Sequence, residues 1–149
     1  RNECAIYSYN CRLDTLQAIV ALHVIKDIGW ITNKRIENAK FYDEELSKVS
    51  EIIIPERAGN VKQVYHTYVV KAKNRDNLHD FLLKNEIEAK IHYPIPLHLQ
   101  EASKYLNYKK GDFPKTEEQV KSIITLPAHQ HLKKQQLEYV VRKIKEFYR

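Results

Sequence analysis

Methionine is absent from this chain, and several other residues are scarce: 149 residues include 2 Cys, 3 Gly, 5 Pro and 1 Trp. Each shortage excludes something. Cys4 and Cys11 lie seven residues apart, a spacing of neither a zinc site nor a redox pair, so they read as reduced, idle thiols of a cytoplasmic protein. The glycines, Gly29, Gly59 and Gly111, are isolated, which leaves no glycine-rich loop to cradle a phosphate. Few glycines and prolines also mean no low-complexity linker. No apolar run approaches the roughly 20 residues of a membrane span. No signal peptide or internal repeat is visible. The chain starts at Arg1 rather than Met, the mark either of a trimmed start or of a longer parent protein.

What is present is ordinary for one globular domain: 43% hydrophobic and 30% charged residues. A chain of this length buries roughly 68–70% of its unfolded surface, so a real core is expected. The net charge is +6, with Lys109-Lys110, Lys133-Lys134, Lys143 and Lys145 contributing. Such charge attracts nucleic acid or any phosphate-bearing ligand. No run of aromatic and basic residues resembles an RNA-binding sheet, and the bland reading is of solvated helix faces.

Periodicity divides the chain. Residues 1–13 form an irregular lead-in. Asp14 with Gln17 gives a capping-box start. Leu13, Leu16, Val20 and Val24, then Ile28, Ile31, Ile36, Ala39, Tyr42 and Leu46, recur at helical spacing. Residues 14–48 are thus a long helix or helix pair, with a kink or break at Gly29. Residues 49–149 form a small α+β domain. Its expected strands are 52–54, 64–72 and 88–93, the last stopped by Pro94 and Pro96. Its expected helices are 74–85, 97–106, 116–124 (Thr116 and Gln119 forming the capping box) and 133–148. The last carries Leu137, Val140, Val141, Ile144 and Phe147 on one stripe. The fold class is an α/β sandwich: a small, mostly antiparallel sheet covered on one side by helices and preceded by the long helix.

The densest chemical cluster is His92-Tyr93-Pro94-Ile95-Pro96-Leu97-His98. Strand alternation sets His92 and Tyr93 on opposite faces, and the prolines stiffen the exit, so imidazoles and a phenol are held on a rigid loop. A metal site from His92, His98, His129 and His131 lacks any ligand spacing, and no metal is expected. Nothing in the spacing makes Cys11 a nucleophile. His129-Gln130-His131 reads as a solvated turn. At the start, Asn10 and Arg12 sit two apart before the first helix; a guanidinium fork and a short amide there can grip one anionic group.

These blocks carry a resemblance. Tyr9-Asn10-Cys11-Arg12-Leu13-Asp14 with Gln17-Ala18, Arg35 with Ala39 and Tyr42, and His66-Thr67-Tyr68 come first. Arg75-Asp76, the His92–His98 block, Gly111-Asp112-Phe113-Pro114 with Glu117, and Leu126-Pro127 follow. In order and separation they resemble the DegT/DnrJ/EryC1/StrS family of sugar aminotransferases, which use pyridoxal 5'-phosphate (PLP). The resemblance runs from Tyr9 to the last helix.

It implies the C-terminal small domain of a fold-type-I, aspartate-aminotransferase-like enzyme. That enzyme moves an amino group, with glutamate as the expected donor, onto a nucleotide-linked keto sugar for surface-polysaccharide or other amino-sugar biosynthesis. It implies that Asn10 bonds the PLP phosphate in the neighbouring subunit's site, that Arg12 contacts the substrate or its diphosphate, that His92 and Tyr93 line the sugar-nucleotide pocket, and that His98 sits at its edge. It also implies a cytoplasmic homodimer without nucleic-acid or membrane partners. No catalytic residue is expected within the chain: the Schiff-base lysine of the family lies upstream of Arg1, and none of the 18 lysines sits in the matching motif. The chain alone is therefore expected to be inactive and not to hold PLP. The dehydratase branch of such enzymes, which replaces that lysine by histidine, stays open. The alternatives from other classes are a basic module that binds nucleic acid or protein without catalysis, and a stand-alone dimerisation domain.

Overall fold

The computed structural model describes residues 3–7 and 13–149; Asn10, Cys11 and Arg12 lie outside them. Helix α1 spans Thr15–Val24 and starts as expected, with Gln17 Oε1 accepting the Asp14 N–H at 3.1 Å. The helical path does break, but ahead of Gly29. A 3-10 turn tightens over Ile25–Asp27, and α2, Ile28–Leu46, then begins with Gly29 in its first turn. Asp27, a residue type that favours helix starts, takes the cap position there. No residue of α1 is buried, whereas α2 buries Asn38, Ala39, Tyr42 and Leu46. Ala39, Tyr42 and Leu46 of the long helix thus belong to the core cluster.

The sheet is antiparallel in the order β1 (Ile52–Ile53), β2 (Tyr68–Ala72), β3 (Ile123–Leu126). Ile52 pairs with Ala72, and Tyr68 pairs with Leu126. Two of these strands correct the sequence reading. Residues 88–93 form no strand: only Lys90 bridges, to Thr125. The third strand is instead Ile123–Leu126, where a helix was expected to run to Ile124. The run Ile-Ile-Thr is β-branched and favours the pleat. The helix before it, α4, is Pro114–Ser122 and starts two residues early, because proline suits the first helical position. Strand β2 is also shorter than expected, since Tyr65 adopts a left-handed backbone (φ 48°).

Helices α3 (Arg75–Lys84) and α5 (Lys134–Phe147) complete the layer. The expected helix 97–106 is two 3-10 turns, Leu97–Leu99 and Glu101–Leu106. One buried cluster joins Tyr42 and Leu46, Tyr68 and Val70, Leu78 and Leu82, Ile124, and Leu137, Val140 and Ile144. Along β2, Tyr68, Val70 and Ala72 point into this core while Val69 and Lys71 point away. Thr125 shares that outer face, paired with Val69. The sheet thus has one face packed into the core and an opposite face that carries Val69, Lys71 and Thr125.

The resembling blocks are tied together by side-chain-to-backbone bonds. Arg35 Nη1 donates to the carbonyls of Tyr65 and His66, both at 3.1 Å, and its Nε to Gln130 Oε1 at 3.2 Å. Tyr42 donates to the Pro127 carbonyl at 2.9 Å, and Asn38 to that of His129 at 3.0 Å. Arg75, buried, donates to the Ile123 carbonyl at 2.7 Å. These bonds satisfy loop carbonyls that the sheet leaves unpaired, and such groups are expensive to bury alone.

Candidate functional site

Two adjoining hollows flank His92. The larger, about 550 Å³, lies along residues 89–94 with His79 on its rim. The smaller, about 220 Å³, lies between Arg35, His66, Lys90, His92, Thr125 and His129. His92 is common to both. Its Nδ1 pairs with Thr125 Oγ1 at 3.1 Å, so strand β3 holds the ring.

Tyr93 follows directly, across a cis peptide bond. The expectation that alternation would separate His92 and Tyr93 does not hold. The segment is not a strand, and the rings meet edge-on, 5.3 Å between centroids. Tyr93 remains 60% exposed and borders the larger hollow.

His98 is placed differently. Its side chain is 7% exposed, its Nε2 lies 3.1 Å from Glu117 Oε1, and its ring packs on Phe113 at 4.7 Å. It borders neither hollow beside His92. It is a packed, carboxylate-bound ring. Glu117 also accepts the Gly111 N–H at 2.7 Å and the Phe113 N–H at 3.4 Å. These donors, Gly111 first and His98 next, hold its carboxyl below the usual value. Gly111 sits at φ +103°, a conformation that any L side chain would strain, and that turn presents its N–H to the carboxylate. Asn10 and Arg12, the remaining predicted site residues, lie outside the described residues.

Arg35, His66, Lys90, Thr125 and His129 were not singled out as site residues from sequence. His66 and Arg35 fell in resembling blocks without a role, and His129 was read as solvated. His129 is indeed exposed, but it borders the smaller hollow. Partial desolvation, with His131 and Arg35 nearby, lowers its pKa. Among the described residues, no group of three or more His, Cys, Asp or Glu is placed to hold a metal ion, and no helix is long and apolar enough to cross a membrane.

The donor set is cationic or neutral N–H: guanidinium, ammonium and imidazoles. The carboxylate at the smaller hollow is Glu88, already engaged by Lys90 at 2.8 Å. Arg35 and Lys90 are themselves engaged, by the Tyr65 and His66 carbonyls and by Glu88, so the wall offers an anion positive potential and imidazoles rather than free cationic donors. Among the described residues it does not form a cradle for PLP itself, because the one carboxylate lining the smaller hollow, Glu88, is paired with Lys90 and not spare to face a pyridine nitrogen. Much of the remaining positive charge is spent locally. Lys34–Glu37, Lys48–Glu45, Lys104–Glu101 and Lys143–Glu146 are paired along helix faces.

The sequence model of the DegT/DnrJ/EryC1/StrS aminotransferase family matches residues 1–145. The chain is 36% identical over 146 residues to a pleiotropic regulatory protein of Geobacillus stearothermophilus, covering 97% of this chain and 39% of that protein. It is 30% identical over 138 residues to the dTDP-3-amino-3,6-dideoxy-alpha-D-galactopyranose transaminase of Aneurinibacillus thermoaerophilus, covering 93% and 37%. Its fold superposes on the crystal structure of S. venezuelae DesV in complex with a ketimine intermediate with a TM-score of 0.87 at 28% identity, over 92% of this chain and 37% of that one. The chain thus spans about two-fifths of the length of the relatives it matches.

Proposed function

The chain belongs to the DegT/DnrJ/EryC1/StrS aminotransferase family, and from that premise we propose that it forms the substrate-side small domain of a sugar-nucleotide aminotransferase. The complete enzyme moves an amino group, with glutamate as donor, onto a nucleotide-linked keto sugar in amino-sugar biosynthesis. PLP, when bound, supplies the electron sink. The cradle for that cofactor, including its lysine, comes from chain other than the described residues. Within this chain, His92 and Tyr93 line the sugar-nucleotide pocket, Asn10 bonds the cofactor phosphate, and Arg12 meets the substrate or its diphosphate. His98 braces the pocket edge from beneath. The working form is a cytoplasmic homodimer. The observation that supports the reading is that His92 borders two hollows, one of them lined also by Arg35, His66, Lys90 and His129.

The test is transamination by the complete enzyme with a panel of nucleotide-linked keto sugars and glutamate. His92→Ala is expected to raise KM for the sugar nucleotide by about tenfold or more, as loss of a polar contact to bound substrate does. Asn10→Ala with Arg12→Ala is expected to lower PLP affinity as well. Full activity in both variants would remove the assigned roles, and no transamination of any such sugar would remove the reading itself.

A further inference from the structure

The loop between His92 and His98 is held at both ends by one continuous stretch of chain. At its head, His92 Nδ1 meets Thr125 Oγ1 at 3.1 Å. At its tail, His98 Nε2 meets Glu117 Oε1 at 3.1 Å. Glu117 is in α4 and Thr125 in β3, and α4 runs into β3 without an intervening residue. Both anchors are themselves fixed. Thr125 exchanges backbone bonds with Lys90, at 3.0 and 2.8 Å, and is buried. Glu117, 12% exposed, is charge-assisted by two backbone N–H groups besides His98. Between the anchors, Pro94 and Pro96 limit the backbone, and Tyr93 stands out into the open.

From this arrangement we propose that Thr125 and Glu117 are positioning residues. They act as a two-point staple that fixes the ring orientation of His92 and the projection of Tyr93, and so set the affinity for the sugar nucleotide. The inference deepens the proposed function and rests on it for the role of His92 and Tyr93. The staple itself rests only on the geometry above. A pocket wall on a rigid, doubly braced loop binds with little ordering cost, whereas a wall free to shift by an ångström loses productive contacts.

Two measurements test it. In the 149-residue chain labelled with ¹⁵N, the His92 imidazole nitrogens are expected to report one dominant tautomer. Thr125→Val, close in shape but without the hydroxyl, is expected to move them toward the averaged pattern of two, and Thr125→Ser to restore the original. An unchanged His92 pattern in Thr125→Val overturns the staple. In the complete enzyme, Thr125→Val is expected to raise KM for the sugar nucleotide by about tenfold, the equivalent of one lost hydrogen bond. kcat and the KM for the amino donor stay near wild type, and Thr125→Ser recovers most of the loss. Unchanged KM in an enzyme whose wild type is active also overturns the inference. A wild type inactive on every nucleotide-linked keto sugar counts against the proposed function, and the tautomer result stands apart from it. Should Thr125→Val fail to fold, Glu117→Gln carries both measurements at the other anchor. It is expected to shift the His98 ring signals and to raise the same KM, and a variant that does neither overturns the staple.

Discussion

Helices α1 and α5 are both rich in aliphatic residues, yet they meet opposite fates. In α5 the apolar residues keep to one stripe, and Leu137, Val140, Val141 and Ile144 are all buried, with the helix packed on α2 and α3. In α1, Leu16, Ile19, Val20, Leu22 and Val24 spread around the axis, and every one is exposed, Leu16 at 78%. A stripe on one side needs one partner, which this chain supplies; a helix apolar all round needs partners on several sides. The difference separates two kinds of information in one sequence. The body from α2 onward buries its own apolar stripe, whereas α1, among the described residues, leaves its apolar side chains exposed, the kind of surface that marks an interaction site where it is large and contiguous.

The sharpest way to break this contrast is to cut equally into both helices. Ile144→Ala deletes a side chain with no exposure in the core cluster. It is expected to cost about 2–5 kcal/mol of the chain's unfolding free energy, by lost transfer and by the cavity left behind. Urea titration of the isolated chain measures it. An Ile144→Ala midpoint equal to wild type would mean that the body is not self-packed.

A smaller effect sharpens the same contrast through pH. Three phenols of the body are held neutral beyond their ordinary range. Burial raises Tyr42; burial, then its bond to Asp43, raises Tyr68; and burial pushes Tyr148 up to about 12. For a group whose folded pKa is raised, stability is fully present below the unfolded value and drains away as pH climbs past it. The body should therefore lose stability above about pH 10, while α1, which contains no tyrosine, contributes nothing to that loss. Tyr42→Phe removes the bond to the Pro127 carbonyl. It is expected to cost about 1 kcal/mol at neutral pH, and the deficit against wild type should shrink as pH rises toward 11, because the variant has one phenol fewer to ionise. Denaturation series at pH 8 and pH 11 check the sign; a deficit that grows with pH would contradict it.

The same division explains what the sequence made legible. Periodicity located α2 and α5, because the apolar residues that each packs against the body recur at helical spacing. The strand at residues 123–126 was hidden because Thr116 and Gln119 advertise a helix just upstream, and only the sheet rewards Ile123 and Ile124 for leaving it. Burial does alternate over Ile87, Glu88, Ala89 and Lys90, at the start of the expected strand 88–93, but the Lys90–Thr125 bridge is not extended into a ladder. At the site, the motif 92–98 was visible as a cluster. The partners that orient it, Thr125 and Glu117, were not, since each comes from a separate stretch and meets its histidine only through the fold. Nothing in local sequence distinguishes His92, facing two hollows, from His98, packed on Phe113 and Glu117.

The smallest expected effect is the most informative about α1. Leu16→Ala removes a large aliphatic side chain, as Ile144→Ala does, yet Leu16 has little packing within this chain to lose. Its unfolding free energy should stay within about 0.5 kcal/mol of wild type, the range of surface substitutions. Replacing Leu16 and Val20 together by glutamate should leave the urea midpoint nearly unchanged while weakening any concentration-dependent association seen by sedimentation, because charge on that face opposes its burial against another surface. A midpoint that falls as far as in Ile144→Ala would mean that α1 packs on the body after all. An unchanged midpoint with lowered association would locate the demand of α1 outside the body, on a surface the body does not supply.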